Sequence, residues 1–385
     1  MLNLSTTYAN LNLKTPIIVG SAGITGSIEL LQRAEECGAG AVVTKSLFQK
    51  EISRKSPTPR FKIVKHTNTF TFYTYEQASE LNPQEYAEFI FNAKQKLNIP
   101  VIASINCYTD DAWIEYSKLM EEAGADAIEL NLSCPHGVHI MSGMNIIEEM
   151  VHTTQIVKDN VKIPVIPKMT PQSANPGSDA LRLEQAGADG LVMFNRFTGL
   201  DIDIEKEIPI LHGGYAGHGG PWAIMYGLRW ISAVSPKLKC SISASGGVMN
   251  GEDAIKYILS GASAVQIVTT VFLNGYEVIK QINKYLEQYL DRKGYRTIND
   301  FKGKVCDKIL DMESVDRRHW GVASINKDKC IGCGKCFNVC IYDAIKNDKE
   351  KFMIKENCDG CGLCIEVCPV NAISMVEKER NYSDI

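Results

Sequence analysis

Two cysteine runs of identical spacing constrain the C-terminal part of this chain more than any other feature. Eight of the 13 cysteines belong to them, and both runs follow the pattern C-x2-C-x2-C-x3-C. The runs are Cys330, Cys333, Cys336 and Cys340, then Cys358, Cys361, Cys364 and Cys368. This spacing serves two [4Fe–4S] clusters, with the fourth cysteine of each run binding the other cluster. The sequence therefore predicts that Cys368 completes the first cluster and Cys340 the second.

Zinc ions and disulfide bonds explain the two runs less well. A structural zinc ion needs only four ligands, and disulfide frameworks are typical of small secreted domains. Neither accounts for two equal runs in a chain of 385 residues. The proline that commonly follows this motif is present after the second run as Pro369, while Ile341 follows the first. We therefore expect a ferredoxin-like domain with two [4Fe–4S] clusters.

Composition and charge narrow the class of protein. The chain is 45% hydrophobic and 22% charged, as in an ordinary globular protein. Its formal net charge of -4 argues against a broad surface for nucleic acid or anionic membrane. We find neither a signal peptide nor an apolar run of the roughly 18 residues that a membrane helix needs. These features predict a cytoplasmic protein that binds neither nucleic acid nor membrane; a homo-oligomer is possible.

A short phrase of glycine and small residues recurs four times before residue 325. It begins at Gly38, Gly124, Gly187 and Gly261, each time at the end of a helical pattern. Glycine suits the left-handed conformation just past the end of a helix, and an apolar run follows each phrase. Four further apolar runs alternate with these, so the sequence predicts eight strands interleaved with helices.

The eight runs predict a (β/α)8 barrel. The expected strands span residues 17–20, 41–46, 100–105, 127–133, 164–170, 191–196, 241–246 and 264–270. Strands alternating with helices are typical of a parallel sheet, and eight strands of regular style favour the barrel over a doubly wound open sheet. We expect the barrel in residues 1–290, a helical connector in 291–324 and the ferredoxin-like domain in 325–385.

Polar side chains stand at the end of the fourth strand, and barrels carry their active sites at strand ends. Asn131 and Ser133 alternate onto one side of this strand, and Cys134 opens the following loop. A thiol with an ordinary pKa of about 8.5 can hold and release a proton, so we expect Cys134 to act as general acid or base. The cysteines expected to be buried and apolar are Cys37, Cys107 and Cys240.

Cationic and amide side chains stand at three further strand ends. Lys45 and Lys168 each follow an apolar strand, where a lysine is rarely buried unless it is paired. A bound anion or an electron-rich ring would supply that partner, and a solvated lysine at the rim is the alternative. Asn195 and Arg196 end the sixth strand and are expected to face the mouth of the barrel.

The last two strands end in residues suited to a phosphate group. Ser245, Gly246 and Gly247 follow the seventh strand, and Thr269 and Thr270 follow the eighth. Loops after these strands commonly bind phosphate in barrels, and glycine lets backbone amides approach an anion at a helix N-terminus.

Two glycine-rich segments indicate a function less clearly than the motifs at the strand ends. Residues 20–26 form G-x-x-G-x-x-G rather than the nicotinamide-binding G-x-G-x-x-G, so no such motif is visible. The loop 199–221 is interpreted either as a mobile lid or as surface irregularity.

Taken together, these motifs resemble the dihydroorotate dehydrogenase family of FMN barrels and, with the two cysteine runs, the dihydropyrimidine dehydrogenases. The resemblance covers nearly the whole chain and rests on Asn-Leu-Ser-Cys-Pro at 131–135, Thr-Lys-Ser at 44–46, Lys168, Asn195 and Ser-Gly-Gly at 245–247. It implies FMN and a reaction at a C=C or CH–CH bond. The implied reaction is reduction of uracil or thymine at C5–C6, with electrons from an NAD(P)H-oxidising flavoprotein subunit or a ferredoxin.

The same resemblance implies roles for individual residues. Cys134 would move the proton at C5 as a catalytic residue, together with Lys45 and Lys168 beside the flavin. The implied flavin contacts are Ser21, Ala22, Gly23, Lys45, Ser46, Asn131, Lys168, Asn195, Gly217, Ser245, Gly246, Gly247, Thr269 and Thr270. The implied substrate contacts are Asn131, Ser133, His136, Asn195 and Arg196.

Departures from the family pattern bear on the substrate. Arg196 stands where the family usually has Ser or Thr, and Thr109 or Asn106 stands where a pyrimidine-binding Asn is expected. Arg196 favours a substrate with a carboxylate or another anion; alternatively it binds the flavin phosphate or a lid residue. Two other hypotheses stay open: a dihydroorotate dehydrogenase-like enzyme with a different conjugated substrate, and an electron-transfer subunit without turnover. A retained proton donor at Cys134 argues against the second.

Overall fold

The structure is a computed structural model that describes residues 2–49, 59–75, 80–132, 145–210, 215–315, 319–348 and 351–379. The chain divides into two compact units, Met1–Lys308 and Ile309–Ile385. Among the described residues, no helix combines the length and apolar character needed to cross a membrane.

Eight parallel strands form the barrel of the first unit. They are β1 Ile17–Val19, β2 Ala41–Val43, β3 Val101–Asn106, β4 Ala127–Leu130, β5 Val165–Pro167, β6 Gly190–Met193, β7 Ser241–Ser245 and β8 Ala264–Ile267. Their hydrogen-bonded order is β5-β4-β3-β2-β1-β8-β7-β6. A parallel bridge between Lys168 and Val192 joins β5 to β6, and Met169 N donates to Val192 O over 3.0 Å. The sheet therefore closes, which confirms the predicted barrel.

Eight helices accompany these strands in the described part of the barrel. They are α1 Ile28–Glu36, α2 Pro83–Lys96, α3 Asp110–Glu122, α4 Ile146–Lys158, α5 Pro176–Gln185, α6 Ile224–Val234, α7 Gly251–Leu259 and α8 Glu277–Lys293. A short helix, Thr269–Asn274, lies between β8 and α8, and a single 3-10 turn, Gly23–Thr25, precedes α1. Side chains that accept from backbone amides begin five of the helices, namely Ser27, Asn82, Thr109, Asn175 and Asn250.

The four recurring glycines end helices as the sequence predicts. Gly38, Gly124, Gly187 and Gly261 all have φ between +89° and +106°. After α1, Gly38 N donates to Glu35 O over 2.8 Å, and the next amide donates to Ala34 O over 3.0 Å. These bonds satisfy carbonyls that the end of a helix leaves open. Each glycine thus turns the chain directly into the following strand.

An N-terminal hairpin fills one end of the barrel. Its strands, Thr6–Tyr8 and Leu11–Leu13, pair antiparallel. Tyr8 is fully buried and its hydroxyl donates to Leu191 O over 3.3 Å, while Ala9 N donates to the hydroxyl of Ser241, the first residue of β7. The interior is therefore closed at the end where the strands begin. Any site must use the opposite end, where the strands finish.

A small sheet lies over that opposite end. Its four strands are antiparallel, in the order Phe197–Gly199, Ala216–Gly219, Phe70–Thr74 and Phe61–Lys65. We call it the cap sheet. Part of the glycine-rich loop thus forms an inner strand instead of an irregular surface segment, and residues 211–214 lie outside the described residues.

Two shorter pairings complete the strands of the first unit. Leu47–Phe48 pairs parallel with the end of β3. A further hairpin pairs Ile202–Asp203 with Ile208–Pro209 between the cap strands, and the 3-10 turn Pro221–Ala223 leads into α6.

The segment after α8 packs back onto the barrel. Ile298 and Phe301 are fully buried, and Asn3 forms a parallel bridge with Thr297. The described residues of this segment contain two 3-10 turns, Ile298–Asp300 and Cys306–Lys308, rather than an α-helix. Residues 291–308 of the expected connector therefore belong to the first unit, because Ile298 and Phe301 are buried there.

The second unit repeats one small motif. His319–Ile325 pairs with Ile373–Glu379, and Ile345–Asp348 pairs with Lys351–Ile354, both antiparallel. Each half contains a short helix followed by a strand. The helix Lys335–Val339 precedes Ile345–Asp348, and the helix Leu363–Glu366 precedes Ile373–Glu379. The core between them is small and contains Ala323, Cys336, Ile345, Phe352, Cys364 and Ile373.

Candidate active site and cysteine cavities

A cavity lies at the carboxyl ends of the barrel strands, under the cap sheet. The predicted residues that line it are Ser21, Ala22, Lys45, Ser46, Asn131, Lys168, Asn195, Arg196, Gly217, Ser245, Gly246, Gly247 and Thr269. Gly23 and Thr270 do not line it; the buried Thr270 hydroxyl donates to Met249 O over 3.1 Å instead. The predicted Ser133, Cys134 and His136 lie outside the described residues.

A chain of polar side chains crosses one wall of the cavity. Ser46 Oγ lies 2.7 Å from Ser104 Oγ and 3.0 Å from Ser21 Oγ. Asn131 Nδ2 donates to Ser46 Oγ over 3.2 Å, and Asn195 Nδ2 donates to Asn131 Oδ1 over 3.0 Å. These bonds join residues from the ends of five strands, so the two amides are held in fixed orientations.

A buried ion pair forms the base of the cavity. Lys168 Nζ lies 3.2 Å from Glu129 Oε1 and 3.2 Å from Gln266 Oε1, and Gln266 Nε2 donates to Glu129 Oε2 over 2.8 Å. The side chains of Lys168 and Glu129 are 7% and 1% exposed. The expected partner of Lys168 was an anion or a ring; the structure supplies a carboxylate from β4 within the protein. Lys45, by contrast, is 3.7 Å from the exposed Glu80.

Arg196 lies between the barrel and the cap sheet. Its Nη1 donates to both the hydroxyl and the carbonyl oxygen of Thr74 in the cap sheet. Its side chain crosses Gly217, where a Cβ would lie 2.0 Å from Arg196 Nε. Among the described residues, no Asp or Glu forms an ion pair with Arg196. Arg196 thus lines the cavity and is bonded to a residue of the cap sheet.

His218 forms part of an aromatic cluster in the cap. Its ring stacks on Tyr73 at 5.2 Å and lies 5.7 Å from Trp222 and 6.2 Å from Phe197. Burial lowers the pKa of His218, and the charge of Arg196 lowers it further. His218 Nδ1 and Trp222 Nε1 are buried and make no hydrogen bond within the described chain. The neutral imidazole is therefore the favoured form at pH 7.

The glycine pair after β7 forms a cradle. Gly246 and Gly247 have φ of +104° and +78°. A Cβ on Gly247 would lie 2.4 Å from Ile224 N at the start of α6, and the Tyr257 hydroxyl donates to Gly246 O over 2.7 Å. Backbone amides in such a turn beside a helix N-terminus suit an anion. The donor set of this cradle fits a phosphate group, and the neighbouring lysines and amides fit a polar ring.

Thr109 and Asn106 have structural contacts. Thr109 accepts a hydrogen bond from Ala112 N as the N-cap of α3. Asn106 Nδ2 donates to Asn131 O over 2.6 Å, which supports the polar wall from behind. Neither side chain lines the cavity. The cavity therefore contains no counterpart of the expected loop asparagine among the described residues.

The three cysteines expected to be apolar behave as such. Cys37 and Cys107 are buried and Cys240 is partly buried. Burial raises the pKa of Cys107 above its usual range and that of Cys240 to about 12. Burial is also the largest cause of the raised pKa of Cys37, which donates to Glu277 Oε1.

The second unit gathers its eight cysteines around two small cavities. Cys330, Cys333, Cys336 and Cys368 line one of them. Cys340, Cys358, Cys361 and Cys364 line the other. The fourth cysteine of each run thus faces the cavity of the other run, the arrangement that the motif predicts. Four cysteines around each of two cavities is the ligand set that two [4Fe–4S] clusters need.

Among the cavity-lining residues that the sequence does not assign, Glu129, Gln266, Thr74 and His218 bear most directly on its chemistry. Glu129 stands inside an apolar strand, which was a signal for a buried partner of Lys168. Gln266 gave a similar signal in β8, but pairing it with Lys168 requires the closed barrel. Thr74 and His218 reach the cavity through the cap sheet, and no local pattern indicated that sheet.

Comparison with known proteins agrees with this geometry. Residues 3–290 match the family model of dihydroorotate dehydrogenase, and residues 323–375 match a 4Fe-4S dicluster domain. The NAD-dependent dihydropyrimidine dehydrogenase subunit PreA of Escherichia coli (strain K12) is 30% identical over 353 residues, 89% of this chain and 86% of that protein.

Two archaeal relatives match the barrel. The catalytic subunit of dihydroorotate dehydrogenase B (NAD(+)) from Pyrococcus abyssi (strain GE5 / Orsay) is 34% identical over 76% of this chain and 96% of its own length. The same subunit from Thermoplasma volcanium is 33% identical over 79% of this chain and 98% of its own length. Family membership implies a flavin in the barrel and iron–sulfur clusters in the C-terminal domain. Like its relatives, the dihydroorotate and dihydropyrimidine dehydrogenases, the chain is an oxidoreductase, and it carries an iron–sulfur domain. It belongs to the dihydroorotate dehydrogenase family.

Proposed function

We propose that this protein reduces uracil or thymine at the C5–C6 bond, with FMN in the barrel and two [4Fe–4S] clusters in the C-terminal domain. The observation that carries the proposal is the hydrogen-bonded wall of Ser46, Asn131 and Asn195 beside the buried Lys168. Amide side chains in fixed orientations complement the alternating N–H and C=O groups of a pyrimidine ring. The match to PreA, which extends over the barrel and the cluster domain, supports the same function.

Each group of residues has a definite task in this proposal. Ser21, Ala22, Lys45 and Lys168 would hold the ring system of FMN, and the Gly246 cradle would hold its phosphate. A bound flavin would supply hydride chemistry at one carbon of the C5–C6 bond, and the clusters would return two electrons to the flavin, one at a time. Cys134 would give the proton to the other carbon, since addition across a double bond needs both.

The electron source is proposed to be a separate protein. The sequence has no nicotinamide fingerprint of the familiar form. The relative PreA is by its name a subunit of an NAD-dependent enzyme. An NAD(P)H-oxidising flavoprotein subunit, or a ferredoxin, would therefore reduce the clusters. Clusters held by the eight cysteines would pass these electrons one at a time.

A second candidate is a different conjugated substrate that carries an anionic group. Arg196 motivates it, because this arginine lines the cavity and no carboxylate of the described residues is paired with it. Arginine binds carboxylates through two parallel hydrogen bonds. A dihydroorotate-like compound would meet this requirement, whereas uracil and thymine would leave the charge without an anionic partner.

An anaerobic half-reaction tests the two candidates. The reconstituted protein is reduced, and uracil, thymine, orotate and a panel of anionic enones are added separately while flavin and cluster absorbance are followed. Rapid reoxidation by uracil or thymine supports the pyrimidine reductase. A response to the anionic acceptors alone supports the second candidate. Reduced protein that reacts with no acceptor, but still exchanges electrons with a ferredoxin, would identify an electron-transfer subunit and contradict both.

A further inference from the structure

The buried lysine at the base of the cavity is held by two acceptors from different sides of the barrel. Glu129 reaches it from β4, next to the strand that precedes Lys168, and Gln266 reaches it from β8. In the strand order, β8 lies opposite β4 around the ring. Gln266 therefore spans the interior, and the three side chains close a ring of three hydrogen bonds.

This arrangement fixes the position of the Lys168 ammonium group and places a compensating carboxylate beside it. Lys168 is a single cation on a flexible four-carbon stem, so one acceptor alone would leave its Nζ several positions. Two acceptors at 3.2 Å restrict it to one. Glu129 also offsets its charge, and Gln266 binds the second oxygen of that carboxylate over 2.8 Å. Burying both ions is costly unless all their hydrogen-bonding groups are satisfied.

Neighbouring residues pack closely against Gln266 and Glu129 on the side away from the cavity. Gly20, at the end of β1, has no side chain, and a Cβ there would lie 3.2 Å from Gln266 Oε1 and 2.9 Å from a methyl of Val268. On the other side, Tyr8 is fully buried, and burial and the charge of Glu129 both raise its pKa, so it stays neutral. Glu129 is therefore the acidic group of the described residues that faces Lys168.

We propose that Glu129 and Gln266 are positioning residues, which hold the Lys168 ammonium group at the base of the cavity and thereby set the reduction potential of the bound flavin. The inference rests on the flavin site of the proposed function but not on its substrate. Reduced flavin carries negative charge, so a nearby cation stabilises it and a compensating carboxylate weakens that effect. Lys168 supplies the positive charge, and Glu129 and Gln266 determine how strongly that charge acts on the flavin.

The first test changes the position of the Lys168 ammonium group without changing the charge of any side chain. Gln266→Met removes the amide but keeps the volume of the side chain, so Lys168 turns wholly to Glu129 and its charge is more fully offset. We expect the midpoint potential of the flavin to fall, measured by equilibration with redox dyes under anaerobic conditions. In a Lys168→Met background the same substitution should cause no shift, because the effect acts through the lysine. An equal shift in both backgrounds would overturn the positioning role.

The second test removes the charge of the Glu129 side chain and nearly preserves its shape. Glu129→Gln leaves the lysine uncompensated, so the midpoint potential should rise, opposite to the effect of Gln266→Met. Glu129→Asp retains the charge but moves it away from Nζ, and should cause a smaller rise. Asp189→Asn is the matched control, because Asp189 also pairs with a lysine in the barrel, Lys158 at 2.6 Å, but does not line the cavity. It should leave the potential unchanged.

The outcomes separate this inference from the proposed function. Thermal unfolding and flavin content identify any variant that fails to fold, and Glu129→Asp then decides the sign of the charge effect. Flavin-loaded protein whose potential ignores all these substitutions contradicts the positioning role alone. Native protein that binds no flavin contradicts the proposed function and this inference together. Protein with the expected shifts that reduces no pyrimidine contradicts only the proposed substrate.

Discussion

Arg196 lies across Gly217 so closely that any β-carbon at position 217 would overlap its side chain. A Cβ there would stand 2.0 Å from Arg196 Nε and 2.2 Å from Cδ. Gly217 therefore admits Arg196 to the space between cap and barrel, where the guanidinium contacts Thr74. This contact joins the cap sheet to the end of β6.

Gly217→Ala should displace Arg196 and loosen the cap. Overpacking of this kind costs about 1–3 kcal/mol, so we expect a lower unfolding temperature and weaker binding of any substrate that Arg196 contacts. Gly219→Ala is the matched control in the same strand, because a Cβ at Gly219 meets no atom within 4 Å. Because Gly219 itself lines the cavity, the two variants are compared by unfolding temperature, and equal decreases would contradict the packing argument.

Arg196→Ser should relax the choice of substrate towards neutral pyrimidines. A hydrogen bond to a charged group contributes about 1.5–3 kcal/mol, so kcat/KM for an anionic acceptor should fall by about 10-fold or more. The value for uracil should stay the same or rise. Parallel kinetics on both classes measure the ratio. An unaltered ratio would assign Arg196 to the link with Thr74 alone.

The stability of the barrel should depend on pH through His218. Its folded pKa lies below the unfolded value of about 6.5, so below pH 6.5 the unfolded chain binds more protons than the folded one. The free energy of unfolding therefore falls as the pH drops from about 7 towards the folded pKa, by at most about 1.4 kcal/mol per pH unit. His218→Phe keeps the stacked ring and should reduce this slope, measured as unfolding temperature against pH.

The crosswise cysteine arrangement predicts which substitutions are equivalent. Cys330→Ser and Cys368→Ser should damage the same cluster, because both residues line the same cavity. Cys340→Ser should instead match Cys358→Ser. Electron paramagnetic resonance of the reduced protein distinguishes the two clusters. If Cys368→Ser resembled Cys358→Ser, each run would bind its own cluster.

Cys134→Ala should abolish turnover while flavin stays bound, if the thiol supplies the proton. A loss of about 100-fold or more is expected for a general acid. Cys240→Ala is the control, because this cysteine is partly buried between Glu184 and β7, away from the cavity. Stopped-flow reoxidation of the reduced flavin by uracil measures the loss of chemistry, and the flavin content measures the loss of cofactor. Unchanged activity would remove Cys134 from the mechanism.

Much of the fold could be predicted because its signals are local. The recurring glycines, such as Gly38, mark helix ends through the conformation of a single residue. The cysteine runs fix the order of ligands through spacing alone, and the apolar runs locate all eight strands. Seven of the eight predicted strands extend beyond the observed ends, since polar residues such as Ser46 and Asn131 already belong to the loops that line the cavity, while β3 ends one residue later than predicted.

The predicted site was less complete, because its missing parts depend on contacts between distant segments. The position of Lys168 at a strand end predicts a partner for its charge, and a bound ligand is the expected partner, whereas the structure has Glu129 there. The cap sheet joins three separate segments of the chain, so Thr74 and His218 could not be placed at the cavity from any local pattern. Thr109 matched an expected position in the sequence and yet serves as a helix cap.

The sequence by itself determined the barrel, the order of its strands along the chain, the two cysteine sets and most of the polar residues that line the cavity. Short-range preferences decide these features, since helix ends, strand periodicity and ligand spacing need only neighbouring residues. The tertiary structure decided which charged and polar side chains become partners. Closure of the barrel brings Gln266 across to Lys168, and the cap sheet brings Thr74 to Arg196, because side chains distant in sequence become partners only after the strands have found their order.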